Sequence, residues 1–384
     1  MTGHSGHPSG RAAAAAPAET GTLRGVAVFT GIAFALPWLL CLPLWITGID
    51  LAPDSTLGAA AASGGEAPAD PGAVLAMLLP QILVGLMMFT PAVAALVACR
   101  WVDGLPWRRL LIALGLGPVR TQPGFPLARR GAARLIGLLA VALLGTWGIA
   151  GGALGVAFLV SDARPRLEGS VFAALAGDES LTVLLIAQLV GIVVGAFVNT
   201  VPAAGEEIGW RGYLQPALTA RLGLVPALVL GGVVWGAWHS PVLLLGYNFG
   251  FYDLRGVALM CVACILLGTW IGWLRGVSGS VWPAALAHGA FNAAAGLSLL
   301  LLPAGTEPDV VRAGALGLSG WIVLVPLALV LVVATIRLGR TPRDPARAVP
   351  AAGTADAGRG AEHGHDLAVA RVLAAGRGDR FCRQ

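Results

Sequence analysis

Two adjacent glutamates, Glu206 and Glu207, lie in a chain that is 57% hydrophobic and only 12% charged. Further along, His239, His288 and Asn292 fall within long apolar stretches. An ionisable side chain near the centre of a bilayer costs at least about 2.5–3.5 kcal/mol, so its presence there indicates function. The chain has 6 histidines, and the remaining four lie in polar tails (His4, His7, His363, His365). Carboxylates and imidazoles so placed predict acid–base or metal-assisted chemistry inside a membrane.

The two glutamates are predicted to point in different directions, because adjacent helical residues are about 100° apart. Glu207 and Arg211 have the i, i+4 spacing with the acid first, which favours an intrahelical ion pair. Glu206 then lacks that partner and is predicted to face a cavity as a general base. The alternative is a solvated helix end at the membrane boundary that carries ordinary surface charges.

The surroundings of both histidines suggest how they are held. Pro241 prevents a regular helix just after His239, and the resulting kink would aim the imidazole inward. His288 and Asn292 are spaced i, i+4 among small residues, so they share a helix face that a neighbouring helix can approach. Three roles are open for this pair. The two side chains could stabilise an oxyanion, or the imidazole could bind a metal. Alternatively, both residues could do no more than form hydrogen bonds between helices.

Composition predicts an all-α, polytopic transmembrane helical bundle, since mean hydropathy is +0.79 and apolar runs of about twenty residues recur. We predict one membrane domain over residues 24–338, between disordered cytoplasmic tails at 1–23 and 339–384. Eight spans are predicted, at about 25–47, 73–99, 133–160, 181–201, 224–246, 257–274, 281–302 and 319–336.

The charged loops predict the orientation of this bundle. The segments after the second and eighth spans are rich in arginine, whereas the loop after the first span is acidic and has no basic residue. Because arginine concentrates in cytoplasmic loops, both termini are predicted to be cytoplasmic. Glu206 and Glu207 then lie at the cytoplasmic end of the fourth span.

The net charge of +5 comes entirely from arginine, as the chain has no lysine. We interpret this charge as attraction to lipid headgroups, and we expect no nucleic-acid partner, because a basic patch with interleaved aromatics is absent. The bias towards alanine, glycine and arginine favours a bacterial source with high GC content.

Three elements in order, Glu206-Glu207-x-x-x-Arg211, Trp235-x-x-x-His239 and His288-x-x-x-Asn292, resemble the CPBP family of intramembrane proteases. That family includes the type II CAAX prenyl endopeptidases and Abi-like proteins associated with bacteriocin immunity. The resemblance covers residues 180–302 well and the first three spans loosely. Trp235 is a departure, because the family more often has phenylalanine there, and the larger ring would reshape the pocket beside His239.

The resemblance implies an endopeptidase in which Glu206 and His239 activate water, while His288 and Asn292 stabilise the oxyanion. Glu207 and Arg211 would form a structural ion pair. Members of the family are usually called metalloproteases, so one Zn²⁺ could be held by His239, His288 and a carboxylate. The alternative, which we favour, is a mechanism in which the glutamate acts without a metal. The expected substrate is a hydrophobic or lipidated peptide or protein in the bacterial cytoplasmic membrane.

Two other classes of protein remain as alternatives to a protease. A non-catalytic immunity or binding protein of the same fold would not need Glu206, His239, His288 and Asn292 together. A transporter would carry related halves with polar groups in both, whereas here the intramembrane polar groups lie in the second half only.

Overall fold

The computed structural model describes residues 21–53, 71–117, 131–162, 164–176, 180–305 and 309–339. Nearly all of both predicted tails lies outside these ranges. Within them the architecture is helical, and the only β-type pairing is an isolated bridge between Ser170 and Pro303. The prediction of an all-α bundle is confirmed.

The helices are numbered in chain order. They are α1 (Leu23–Thr47), α2 (Pro71–Met87), α3 (Thr90–Val97), α4 (Trp107–Ala113), α5 (Gly131–Val160), α6 (Val171–Ala176), α7 (Leu181–Glu207), α8 (Gln215–Leu222), α9 (Leu224–Trp238), α10 (Ser240–Leu243), α11 (Leu254–Ser278), α12 (Trp282–Ala294), α13 (Leu297–Leu300), α14 (Val310–Ala313) and α15 (Leu318–Gly339). Two π-helical segments, Ala98–Val102 and Ile208–Leu214, follow α3 and α7 without a break.

Six helical stretches of the described chain are long and apolar enough to cross a bilayer: Leu23–Thr47, Leu78–Val102, Ala133–Val160, Leu181–Leu222, Leu254–Ser278 and Val310–Arg337. Their outer faces carry large apolar side chains that are exposed, as at Ile186, Val190 and Phe197 of α7. A surface of this kind is stable only against lipid tails. The protein is therefore a multi-pass integral membrane protein in contact with the bilayer.

The predicted count of eight spans is not confirmed, because two of them form short helices. The fifth and seventh predicted spans contain α9, which has 15 residues, and α12, which has 13. At 1.5 Å per residue these helices are only about 20–22 Å long, against a hydrocarbon core of about 30 Å. Pro241 ends the regular helix after α9, and turns flank α12 on both sides. Most of α12 is buried, which is where short helices are tolerated at membrane depth.

The fourth predicted span, 181–201, ends too early. The helical stretch runs from Leu181 to Leu222 and includes the π-helix Ile208–Leu214. The sequence contains no breaker that stops it, since Pro202 is accommodated inside α7. Glu206 and Glu207 therefore lie within a continuous helical stretch rather than at the end of a span, and both are buried.

Helix α12 packs closely against α7 at Gly289. A Cβ atom at this position would lie 2.6 Å from the Thr200 backbone N and 2.7 Å from the Ala196 carbonyl O, both of which are backbone atoms that cannot swing away. The absence of a side chain here therefore lets α12 bring His288 next to the glutamates of α7.

We predict that Gly289→Ala destabilises the protein by about 1–3 kcal/mol, because a methyl group would force α7 and α12 apart. Denaturant titration in detergent micelles would measure it. Gly191→Ala on α7 is the matched control, since nothing lies within 4 Å of its Cβ position. Equal stability of the two variants would contradict the close packing.

Candidate active site

Glu206 is 2% exposed and stands on the last turn of α7. Its Oε2 accepts a hydrogen bond from the Trp235 indole Nε1 at 2.6 Å. The Trp210 indole Nε1 approaches the same oxygen at 3.3 Å. Both contacts are made to Oε2, so Oε1 is the oxygen that remains available to react.

Glu207 is fully buried and connects Arg211 with His288. Its Oε1 lies 3.0 Å from Arg211 Nη1, within the same helical stretch, and 2.9 Å from His288 Nδ1 on α12. Oε2 of Glu207 is buried without a hydrogen-bond partner among the described residues. The i, i+4 pair predicted from the sequence is present, and it extends to His288, which the sequence did not indicate.

His239 lies at the break between α9 and α10. Its Nδ1 is 2.9 Å from the Trp235 carbonyl O, which only accepts, so Nδ1 carries a proton. In the neutral imidazole Nε2 is then unprotonated and able to accept a proton. The break itself is stabilised, because the Ala237 carbonyl left free by Pro241 accepts a hydrogen bond from Ser240 Oγ at 2.5 Å.

His288 is 5% exposed and also has its Nδ1 engaged. If Glu207 is ionised, its oxygens only accept, so Nδ1 of His288 is the donor. Nε2 then donates only when the ring is the doubly protonated imidazolium. Glu207 is placed to be the counterion of that form, with the Trp235 ring edge-on to the imidazole at 5.3 Å between centroids.

A cavity of about 610 Å³ brings these groups together, since Glu206, His239, His288 and Asn292 all line it. Asn292 is exposed in this cavity, one helical turn beyond His288. The remaining wall is mainly apolar and includes Met87, Met88 and Met260. Polar groups from α7, from the break between α9 and α10, and from α12 thus converge on one space that would accept an apolar chain.

The hypothesis of a zinc site requires several ligand atoms close together, and the described part of the chain does not place them so. Among the residues that the structure describes, no group of three or more His, Cys, Asp or Glu is close enough to hold an ion. Nδ1 of both histidines is engaged, so Nε2 is the ligand nitrogen that each ring could offer, while Oε2 of Glu206 accepts a hydrogen bond from Trp235. His239 and His288 as placed here do not form a three-ligand zinc site of the usual kind.

Sequence reasoning missed Tyr247, which lies beyond α10 and lines the same cavity. Burial and, secondarily, the charge of Glu206 raise the pKa of its hydroxyl, which therefore stays protonated at neutral pH. No spacing rule relates Tyr247 to the three motif elements, so only the structure could identify it.

A second missed residue is Asp103, a buried carboxylate outside the cavity that supports the π-helix after Glu207. It accepts hydrogen bonds from the Tyr213 hydroxyl at 2.9 Å, Thr22 Oγ1 at 2.6 Å and the Gly21 backbone N at 2.8 Å. Asp103 thereby connects the start of α1 to the segment that carries Arg211.

Comparison with known proteins finds similarity over part of this chain. Residues 181–294 match the family model described as type II CAAX prenyl endopeptidase Rce1-like. A 55-residue segment is 34% identical to CAAX prenyl protease 2 of the archaeon Methanococcus maripaludis, which corresponds to 14% of this chain and 20% of that relative. The match thus spans about a fifth of the length of the curated relative.

Proposed function

We propose that this chain, whose residues 181–294 match the type II CAAX prenyl endopeptidase Rce1-like family model, is an intramembrane endopeptidase. Its substrate would be a membrane-associated or lipid-anchored peptide or protein. The observation that carries this proposal is the convergence of Glu206, His239, His288 and Asn292 on one cavity. Structural hydrogen bonds alone would not require four polar groups to face a shared space within a lipid-embedded bundle.

The proposed reaction begins with a water molecule between Glu206 and His239. Glu206 Oε1 accepts a proton from the water, and His239 Nε2 accepts a hydrogen bond that orients it. The water oxygen bonds to the peptide carbonyl carbon, whose oxygen becomes an oxyanion. The C–N bond then breaks, and the proton held by Glu206 passes to the leaving amine nitrogen. The products are a carboxylic acid and an amine, and the acid then releases its remaining proton to water.

Two donors would stabilise the oxyanion: Nε2–H of the His288 imidazolium and the Asn292 side-chain amide. The His288 Nδ1 contact with Glu207 supports this role, because the buried carboxylate balances the charge on the ring. Arg211 also forms an ion pair with Glu207 and holds that carboxylate in place.

We predict that Asn292→Ala lowers kcat by about 10²–10³-fold with little change in KM, because an oxyanion donor acts mainly in the transition state. Steady-state kinetics on a cleavable substrate would measure both constants. An increase in KM at unchanged kcat would contradict this role and assign Asn292 to substrate binding.

Because the described residues do not assemble a three-ligand metal site, no step of the proposed reaction passes through zinc. Incubation of the purified protein with a strong chelator therefore leaves activity unchanged in this proposal. A loss of activity that is restored by Zn²⁺ would replace the metal-free mechanism with the metalloprotease alternative.

The proposal also includes the orientation of the protein in the membrane. We place both termini on the cytoplasmic side of a bacterial cytoplasmic membrane, supported by Arg108 and Arg109 after the second span and Arg337 at the end of α15. Water would then enter the cavity from the cytoplasmic side, while an apolar substrate reaches it through the lipid.

The experiment that tests the proposed function is hydrolysis of a panel of membrane-anchored peptides, prenylated and not, by the purified protein in detergent. Cleavage by the parent that is abolished by both Glu206→Ala and His239→Ala supports it, provided that both variants remain folded. Equal cleavage by the parent and both variants contradicts the catalytic assignment. The alternative, a non-catalytic immunity or binding protein of the same fold, would then be favoured.

A further inference from the structure

Trp235 is buried among Glu206, Arg211 and His288. Its indole Nε1 donates to Glu206 Oε2 at 2.6 Å, and its ring faces Arg211 and His288. We propose that Trp235 is a positioning residue whose indole N–H fixes the Glu206 carboxylate with Oε1 directed towards the cavity. This inference rests on the proposed function and adds a residue on which its general base depends.

The need for positioning follows from the flexibility of glutamate. Its side chain has several staggered rotamers, and its terminal torsion is broad, so helix geometry alone does not set the direction of each oxygen. At 2% exposure there is little water to compete for the carboxylate, and a hydrogen bond from an indole then directs it strongly. Trp210 approaches the same oxygen, but its 3.3 Å contact is longer and therefore weaker.

The Trp235 ring is itself held from two sides. The Arg211 guanidinium carbon lies 4.2 Å from the ring centroid, in cation–π geometry, and the His288 imidazole meets the ring edge-on at 5.3 Å. A fixed ring gives its N–H a fixed direction. These ring contacts are available to a phenylalanine as well, so Trp235→Phe removes the N–H while it retains an aromatic wall.

We expect Trp235→Phe to lower kcat about 10- to 100-fold, because misplacement of a reacting group by about 1 Å has an effect of that size. KM should stay within about twofold, since the aromatic wall remains. Trp210→Phe is the matched control, and its kcat should fall by less than about threefold because its contact is longer. Equal kcat values in the two variants, or a rise in KM alone, would overturn the proposal.

A second readout does not depend on activity. In a ¹H–¹⁵N spectrum of the indole groups of the 12 tryptophans, the Trp235 signal is the one missing from Trp235→Phe. We expect this signal to move strongly upfield in Glu206→Ala and by a smaller amount in Glu206→Gln, which retains a neutral acceptor. A Trp235 signal unchanged in both variants overturns the positioning contact.

The two readouts separate the two claims. Suppose that the parent cleaves no substrate but the Trp235 signal responds to substitution of Glu206. The proposed function and the catalytic role of the Trp235–Glu206 hydrogen bond would then be contradicted, but the hydrogen bond itself would stand. Cleavage by the parent with an unresponsive Trp235 signal would leave the endopeptidase in place and overturn the role of Trp235.

Discussion

Glu206→Gln is expected to lower kcat for peptide hydrolysis by about 10³-fold. The amide has the shape of the carboxylate and still accepts a hydrogen bond from Trp235 Nε1, so the site should keep its geometry. It cannot take a proton from water, and loss of a general base lowers rates by about 10²–10⁴-fold. Steady-state kinetics on a peptide that the parent cleaves would measure the effect.

The matched control for this substitution is Glu168→Gln, which makes the same chemical change at an exposed position that does not line the cavity. Its kcat should equal that of the parent. A Glu206→Gln protein that folds and retains more than about a tenth of the parent kcat would show that another group removes the proton.

Glu207→Ala is expected to destabilise the protein by about 3–5 kcal/mol, the usual cost of removing one partner from a buried ion pair. Arg211 would lose its only carboxylate among the described residues, and His288 would lose the acceptor of its Nδ1 proton. Denaturant titration in detergent micelles would measure the change in unfolding free energy.

An exposed ion pair provides the control. Arg255 lies 2.9 Å from Asp253, with side chains that are 69% and 51% exposed, so Arg255→Ala should change stability by less than about 1 kcal/mol. If Glu207→Ala were no more destabilising than Arg255→Ala, the connection of Arg211 to His288 through Glu207 would not hold the helices together.

Much of the fold could be predicted because lipid imposes simple rules on composition. Apolar stretches locate the helices, and the predicted ranges 133–160 and 319–336 differ from α5 and α15 by at most three residues at either end. The number of spans could not be predicted, because hydropathy does not distinguish α9 or α12 from a longer helix that faces lipid. Pro241 ends α9, whereas the short length of α12 is tolerated because that helix is buried, and its burial depends on tertiary contacts.

The proximity of the candidate residues was predictable from the sequence, but the contacts between them were not. Spacing indicated that Glu207 pairs with Arg211 and that His288 and Asn292 share a face, and in the structure the first pair is in contact and both members of the second line the cavity. The link from Glu207 to His288 joins residues 81 positions apart, which no local pattern encodes. For the same reason, Trp235 was interpreted only as a larger ring, although its N–H is what reaches Glu206.

The measurement that tests the central claim most directly is mass spectrometry of a membrane-anchored peptide incubated in H₂¹⁸O with the parent protein or with Glu206→Gln. The proposed reaction predicts a new carboxyl terminus carrying one ¹⁸O atom with the parent, and no such fragment with the variant in the same time. Fragments formed equally by both proteins would contradict the claim that Glu206 activates water for peptide hydrolysis.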